Sequence, residues 1–140
     1  MSGTGIKARF AELRLPKGAL PLWAWPVVGG TYYVLFFFLL RSILNRPAIL
    51  PWTSVTIILV ALLLIANASW NWMFFRKKDL WLSFVCFVPY WLPSLMLAGV
   101  LHRIRSPLLG WYTLYPAYLM YASWWGYQVW RLNGSASQNH

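Results

Sequence analysis

Two asparagines interrupt an apolar run in the segment Asn67-Ala68-Ser69-Trp70-Asn71-Trp72-Met73-Phe74-Phe75. Lipid cannot hydrogen-bond a side-chain amide, so an amide at membrane depth must face protein, water or a ligand. Asn67 and Asn71 are four residues apart, which places them on one face of a helix. The two amides therefore mark a face that is directed away from lipid.

The composition is that of an integral membrane protein. Of the 140 residues, 60% are hydrophobic and 19% are aromatic, and the net charge is +10. A helix needs about 20 apolar residues to cross the hydrocarbon layer. Four such runs occur, at about 22–40, 52–75, 80–101 and 108–130. They predict an all-α bundle of four transmembrane helices over residues 22–133, after a basic arm (1–21) and before a polar tail (134–140).

The charges predict the orientation of this bundle. With four crossings, the N-terminal arm, the loop at 76–79 and the C-terminal end share one side of the membrane. That side carries eight basic residues (Lys7, Arg9, Arg14, Lys17, Arg76, Lys77, Lys78 and Arg131), and the other carries four (Arg41, Arg46, Arg103 and Arg105). The excess predicts that both termini are cytoplasmic, in a bacterial inner membrane or an organelle membrane. Because the charge is explained by orientation and by attraction to anionic lipid, no nucleic-acid partner is expected.

The arm itself allows more than one interpretation. Ile6, Phe10 and Leu13 recur at helical spacing among basic residues, which is typical of a helix that lies on the membrane surface. A disordered arm or a transit-peptide remnant is an equal alternative.

Helical spacing of about 100° per residue predicts which side chains share a face in each span. One face of each of three spans is rich in aromatic and small residues: Trp23, Pro26, Gly30, Tyr33, Val34 and Phe37 in the first, Leu63, Asn67, Trp70, Asn71 and Phe74 in the second, and Tyr115, Tyr118, Ala122, Trp125, Gly126 and Val129 in the fourth. These faces favour a pocket that is walled by aromatic rings and suits a flat apolar ligand. Close helix packing through small residues is the alternative explanation.

Tryptophans deep in the spans are more informative than those near span ends. Trp91 lies mid-span between Pro89 and Pro93, which predict a kink in the third helix. Trp124 and Trp125 are adjacent, so one of them is expected to face lipid.

Catalytic residue types are scarce. The two acids, Glu12 and Asp79, lie outside the spans, and His102 and His140 lie at a span end and in the tail. No metal-binding spacing and no glycine-rich phosphate loop occurs. We therefore expect no catalysis and no metal site.

The chain resembles the translocator protein or tryptophan-rich sensory protein (TspO/MBR) family, also called the peripheral benzodiazepine receptor family. In the second span the matching residues are Asn67, Trp70, Phe74 and Phe75, and Ser106-Pro107-Leu108 begins the last span in a similar way. The last span matches through Tyr115, Tyr121, Ala122, Val129, Trp130, Arg131 and Asn133. Trp23 and Tyr33 have the spacing of a Trp and a Tyr in the second helix of the family. The resemblance covers about residues 22–133.

The chain also departs from the pattern of the family. Members usually have five transmembrane helices, and the arm stands where the first would be. Gly29 occupies the position of a second Trp, Tyr118 that of a Trp after Pro-Tyr, and Cys86 that of a frequent acid. The loss of a helix and of the two pocket tryptophans would open a pocket sideways, into a groove that lipid, pigment or another protein could fill.

The resemblance implies a membrane protein with a pocket for a flat hydrophobic ligand, such as a porphyrin or other tetrapyrrole or a sterol; a chlorophyll-type pigment or a carotenoid is a further candidate. Because catalytic residue types are scarce, we expect binding without catalysis. The expected ligand-binding residues are Trp23, Tyr33, Asn67, Trp70, Asn71, Trp91, Tyr118, Ala122 and Trp125. The alternative function is a structural or accessory subunit of a larger membrane complex, with a partner helix in the groove. An enzyme that acts on tetrapyrroles is a third possibility.

Overall fold

The computed structural model describes residues 3–46 and 50–134, and these form helices and connecting turns without strands. The helices are α1 (Gly3–Ala11), α2 (Ala24–Leu44), α3 (Leu50–Asn71), α4 (Leu80–Val85), α5 (Val88–Arg103), α6 (Leu109–Tyr112) and α7 (Leu114–Gly134). The predicted all-α membrane bundle is confirmed. Of the predicted tail, all but Gly134 lies outside the described residues.

Three segments of the described chain are long and apolar enough to cross a membrane. They are Ala24–Leu44, Pro51–Lys77 and Leu80–Arg103. The fourth predicted span begins with the short α6 and continues as α7, whose 21 residues have the length of a crossing but include more polar side chains. α7 packs against α4 and α5 and so completes the bundle.

The second span continues past α3 as a π-helix. Trp72–Lys77 have π-helical bonding, and the segment ends at Lys78, whose φ of 57° is left-handed. A π-turn widens the helix and changes the direction of its carbonyl groups. The carbonyls of Phe74 and Lys78 both accept hydrogen bonds from Arg9 of the arm.

The third span is interrupted where the prolines predicted a kink. α4 ends at Val85, a turn follows at Cys86 and Phe87, and α5 begins at Val88. Pro89 has no N–H to donate to the carbonyl four residues earlier, so the helix cannot run through this point. Pro93 is accommodated inside α5.

The N-terminal arm is packed on the bundle. Arg9 is only 8% exposed, and its guanidinium lies over the ring of Phe74, 5.3 Å from the centroid. Farther along, Asn133 and Tyr121 of α7 hydrogen-bond the arm at Arg14 and Gly18. Ile6 and Phe10 lie in α1, as their helical spacing predicts, whereas Leu13 follows the end of this helix at Ala11. Phe10 and Leu13 pack against the bundle, and contact of the arm with a membrane surface stays a prediction.

Two clusters form the core. The larger joins α2, α3, α5, α6 and α7 around fully buried residues such as Leu39, Leu97 and Tyr112. The smaller contains Phe74, Trp125 and Val129, and Phe10, Leu13 and Trp25 pack against it. A cavity lies between the helices that carry these clusters.

Candidate functional site

A cavity of about 330 Å³ lies among α2, α3, α5 and α7, and α1 reaches one end of it. Most of its wall is aromatic or aliphatic. The lining residues are Ile6, Phe10, Trp25, Pro26, Gly29, Gly30, Tyr32, Tyr33, Phe36, Leu63, Leu64, Asn67, Trp70, Asn71, Phe75, Phe87, Tyr90, Tyr115, Tyr118, Leu119 and Ala122. None of these side chains is charged.

The two asparagines of α3 are linked along one edge of the cavity. Asn71 donates from Nδ2 to the backbone carbonyl of Asn67, at 2.9 Å. Asn67 in turn donates from Nδ2 to the hydroxyl oxygen of Tyr33 on α2, at 3.0 Å. The Tyr33 hydroxyl accepts this bond and keeps its own hydrogen to donate.

Aromatic rings close the side of the cavity between α2 and α7. The ring of Tyr32 lies 4.8 Å from that of Tyr115 and 5.0 Å from that of Tyr118, measured between centroids. Nearer the arm, Trp25 lies 4.8 Å from Trp125. Ring pairs at these distances attract each other more strongly than the burial of their surface alone would account for. This wall is therefore well packed.

Two indole groups in the wall lack hydrogen-bond acceptors. Within the described residues, the Nε1 atoms of Trp25 and Trp70 are buried and have no partner, and both side chains line the cavity. A buried N–H without an acceptor costs about 1–3 kcal/mol. A ligand with acceptor atoms could recover part of this cost after a small shift of either ring.

The arm closes the end of the cavity next to the basic loop. Ile6 and Phe10 contribute their side chains to the wall, and Arg9 between them bonds the carbonyls of Phe74 and Lys78, each at 3.2 Å. Lys78 also pairs with Glu12 at 3.1 Å. The hydrogen bond from Lys78, assisted by its charge, lowers the pKa of the Glu12 carboxyl.

Six of the nine predicted site residues line this cavity: Tyr33, Asn67, Trp70, Asn71, Tyr118 and Ala122. The structure does not bring the other three to it. Trp23 is 70% exposed at the start of α2. Trp91 donates from Nε1 to the hydroxyl of Ser123, at 3.3 Å, outside the cavity. Trp125 is buried in the smaller core cluster, beneath Trp25 and Phe10.

The predicted inward face of the first span was also partly wrong. Val34 and Phe37 are exposed, whereas Tyr32 and Phe36 face the cavity. The faces predicted for the second and fourth spans are confirmed, since their members line the cavity, belong to the buried clusters or, in the case of Gly126, are buried in α7. Trp125 is buried and Trp124 is partly exposed, as the adjacent pair predicted.

Several cavity residues were missed in the sequence. They are Ile6, Phe10, Trp25, Tyr32, Tyr90 and Leu119. The helical spacing of Ile6 and Phe10 was a usable signal, but nothing in it distinguishes burial against the bundle from burial in lipid. Trp25 lies at the start of a helix that is apolar around its whole circumference, so the periodicity does not indicate which face is buried.

The family comparison agrees with this architecture. The model of the TspO/MBR family matches residues 1–131. The chain belongs to the TspO/MBR family. The match includes the N-terminal arm, which the resemblance over residues 22–133 left out. The comparison with curated proteins gives no match, and neither does that with solved structures.

Family membership and the apolar helices make this TspO/MBR protein an integral membrane protein. Two of the departures that the resemblance indicated fall in the cavity wall. Gly29 lines the cavity, and a Cβ atom placed there would meet nothing within 4 Å. Tyr118 also lines it and packs against Tyr32. The wall of this TspO/MBR protein is thus open at Gly29, and a tyrosine provides its surface at position 118.

Proposed function

We propose that this protein binds a flat hydrophobic ligand in the cavity, of the tetrapyrrole, carotenoid or sterol class, and does not transform it. The observation that carries the proposal is the aromatic cavity with a polar edge at Asn67. Ligand pockets are concave and mostly apolar, with a few polar groups that fix orientation. Tyr118, Tyr32 and Trp70 provide flat surfaces for stacking, and Asn67 and Tyr33 provide the polar groups.

The size of the cavity limits how much of a ligand it can enclose. Pockets for small molecules usually measure about 300–1,000 Å³, so 330 Å³ is near the lower limit. A ligand of tetrapyrrole or sterol size would fill the enclosed part and extend into the opening beside Tyr33. The side chain of Tyr33 is 55% exposed, so it can contact a ligand without first moving out of a packed wall.

The non-catalytic part of the proposal depends on the same wall. General acid–base catalysis needs a titratable side chain within hydrogen-bond reach of the reacting atoms. The titratable side chains among the described cavity-lining residues are those of five tyrosines, without any Asp, Glu, His, Lys, Arg or Cys. An ordinary tyrosine has a pKa of about 10, far from the pH at which an acid–base catalyst would work. Their hydroxyl, amide and indole groups are suited to binding and orienting a ligand.

The test is quenching of tryptophan fluorescence by protoporphyrin in the purified protein. We expect saturable quenching, with an apparent dissociation constant that rises about tenfold or more in Tyr118→Ala and in Asn67→Leu. Met120→Ala is the matched control for Tyr118→Ala, because Met120 is an exposed residue of the same helix. Identical quenching in the unmodified protein and in both cavity variants would overturn the proposal.

A second measurement separates this function from that of a complex subunit. After extraction in mild detergent, native mass analysis of a stand-alone binding protein should show a monomer or a dimer, and the bound ligand should be visible in the absorption spectrum. A stable association with other membrane proteins, without any pigment or lipid in the cavity, would favour the subunit.

A further inference from the structure

The cavity opens sideways between α2 and α3. Pro26, Gly30 and Tyr33 of α2 line it and are exposed, while Asn67 and Asn71 face them from α3 and are half-buried. The hydrogen bond from Asn67 to Tyr33 spans this gap. All five residues lie within the segments Ala24–Leu44 and Pro51–Lys77, which are long and apolar enough to cross the membrane. We therefore expect the opening to face lipid.

Other sides of the cavity are closed by more extensive contacts. Between α2 and α7, Tyr32 packs against both Tyr115 and Tyr118. At the end near the basic loop, Ile6 and Phe10 cover the cavity.

Several bonds along the arm keep that cover in place. Arg9 donates to the carbonyls of Phe74 and Lys78, and the side chain of Asn133 pairs with the backbone of Arg14. Displacing the arm would break all of these bonds. Displacing the Tyr33 side chain would break the bond from Asn67.

We infer that the ligand enters this cavity from the lipid phase, through the opening between α2 and α3, and that the hydrogen bond between Tyr33 and Asn67 is the gate. The inference rests on the proposed function and deepens it by restricting the ligand class. A molecule that takes this route is lipid-soluble and enters in an uncharged form, as an ester or with its carboxyl groups protonated, because an ion in hydrocarbon is costly and no charged side chain lines the cavity to compensate it. It also carries a hydrogen-bonding group, which replaces Tyr33 as the partner of the Asn67 amide.

The experiment follows the rate at which a neutral probe enters. The protein is reconstituted in phosphatidylcholine vesicles and mixed with vesicles that carry protoporphyrin dimethyl ester, and tryptophan quenching is followed with time. Tyr33→Phe removes the hydroxyl acceptor and keeps the ring. We expect entry to become faster by about three- to tenfold, the equivalent of one net hydrogen bond. Tyr127→Phe is the control, because Tyr127 is a partly exposed tyrosine of α7 that does not line the cavity.

Two further variants distinguish the routes. Gly30→Phe places a ring in the opening, where a Cβ atom meets nothing within 4 Å, and should slow entry at least tenfold. Its control is Gly99→Phe, at an exposed glycine of α5 with equally open surroundings. Asn133→Leu removes the two bonds to Arg14 and should leave the entry rate unchanged.

The outcomes separate the two proposals. Faster entry in Asn133→Leu, together with unchanged rates in Tyr33→Phe and Gly30→Phe, would overturn the lateral route and leave the binding function standing. If the unmodified protein shows no saturable quenching by the ester or by protoporphyrin, both proposals fail.

Discussion

The side chain of Asn133 pairs with the backbone of Arg14 as a neighbouring strand would. Its Oδ1 accepts from the Arg14 N–H at 2.9 Å, and its Nδ2 donates to the Arg14 carbonyl at 3.0 Å. The two residues are 119 positions apart, so this pair joins the N-terminal arm to the end of the last helix. It also places the arm and the end of α7 at the same end of the bundle.

Asn133→Leu should release the arm. Two neutral hydrogen bonds together contribute about 1–3 kcal/mol, so the undocked population should rise about fivefold or more. The measurement is the rate of trypsin cleavage after Arg14 and Lys17 in detergent. Leu132→Ala, which changes a partly exposed neighbour, serves as the control and should leave the rate unchanged. Equal cleavage in Asn133→Leu and the unmodified protein would show that the pair does not hold the arm.

Acidification should loosen the arm only well below neutral pH. Docking lowers the pKa of Glu12 through the hydrogen bond and charge of Lys78, and an unperturbed Glu has a pKa of about 4.3. The stabilisation from Glu12 is therefore fully present above that value and is lost as the pH falls through the lowered pKa. It should be small, because Glu12 is solvent-exposed and surface pairs are weak.

Fluorescence anisotropy of a dye on Lys7→Cys, in a Cys86→Ser background, would follow this release from pH 8 to pH 3. Glu12→Gln should abolish the dependence on pH. A transition centred between pH 6 and pH 7, or one that persists in Glu12→Gln, would assign the change to other groups.

The asparagine-containing span could be predicted well from sequence because its polar groups fix its orientation. Asn67 and Asn71 cannot face lipid, and so the face with Leu63 and Trp70 was predicted correctly. The first span has no such marker. It is apolar around its whole circumference, and aromatic residues alone placed Trp23 and Phe37 inward when both are exposed.

The arm could be predicted only in part. The spacing of Ile6 and Phe10 indicates a helix with one apolar face, but the surface that covers this face is set by residues distant in sequence. Arg9 shows the reason. A basic residue in a sequence predicts a solvent-exposed side chain. Here Arg9 instead donates hydrogen bonds to the carbonyls of Phe74 and Lys78 at the π-helical end of the second span. Trp91 was likewise predicted to contact the ligand, because the sequence does not show that its indole N–H donates to the hydroxyl of Ser123.

Gly126→Ala should destabilise the protein and narrow the cavity. A Cβ atom at Gly126 would lie 2.7 Å from Cε2 of Phe87, so the ring must move. Phe87 also lines the cavity, and this gives the ring a direction in which to shift. Overpacking of this kind costs about 1–3 kcal/mol. We expect a lower melting temperature in detergent and weaker quenching by protoporphyrin.

Gly99→Ala is the matched control for that variant. It adds the same methyl group in α5 where no atom lies within 4 Å. It should raise the melting temperature slightly, because alanine is favoured over glycine in a helix, and should leave quenching nearly unchanged. Equal behaviour of Gly126→Ala and Gly99→Ala would mean that the contact between Phe87 and α7 is not close in the protein.

Trp125→Ala should destabilise the protein far more than Trp124→Ala. Trp125 is 1% exposed, and its ring contacts Trp25, Phe74 and Phe10. Its removal therefore leaves a cavity among three rings that belong to different elements. Truncating a buried Trp costs about 3 kcal/mol or more. Trp124 is 40% exposed, and lipid or detergent can replace many of the contacts that its side chain makes.

Thermal unfolding in detergent, followed by circular dichroism, would compare the two variants. Because Trp125 supports the cavity from behind Trp25 without lining it, Trp125→Phe should restore most of the stability and keep porphyrin binding, detected by the absorption of the bound pigment. Loss of porphyrin binding in a fully stable Trp125→Phe protein would instead make Trp125 a direct ligand contact, as its position on the inward stripe of the last span first indicated.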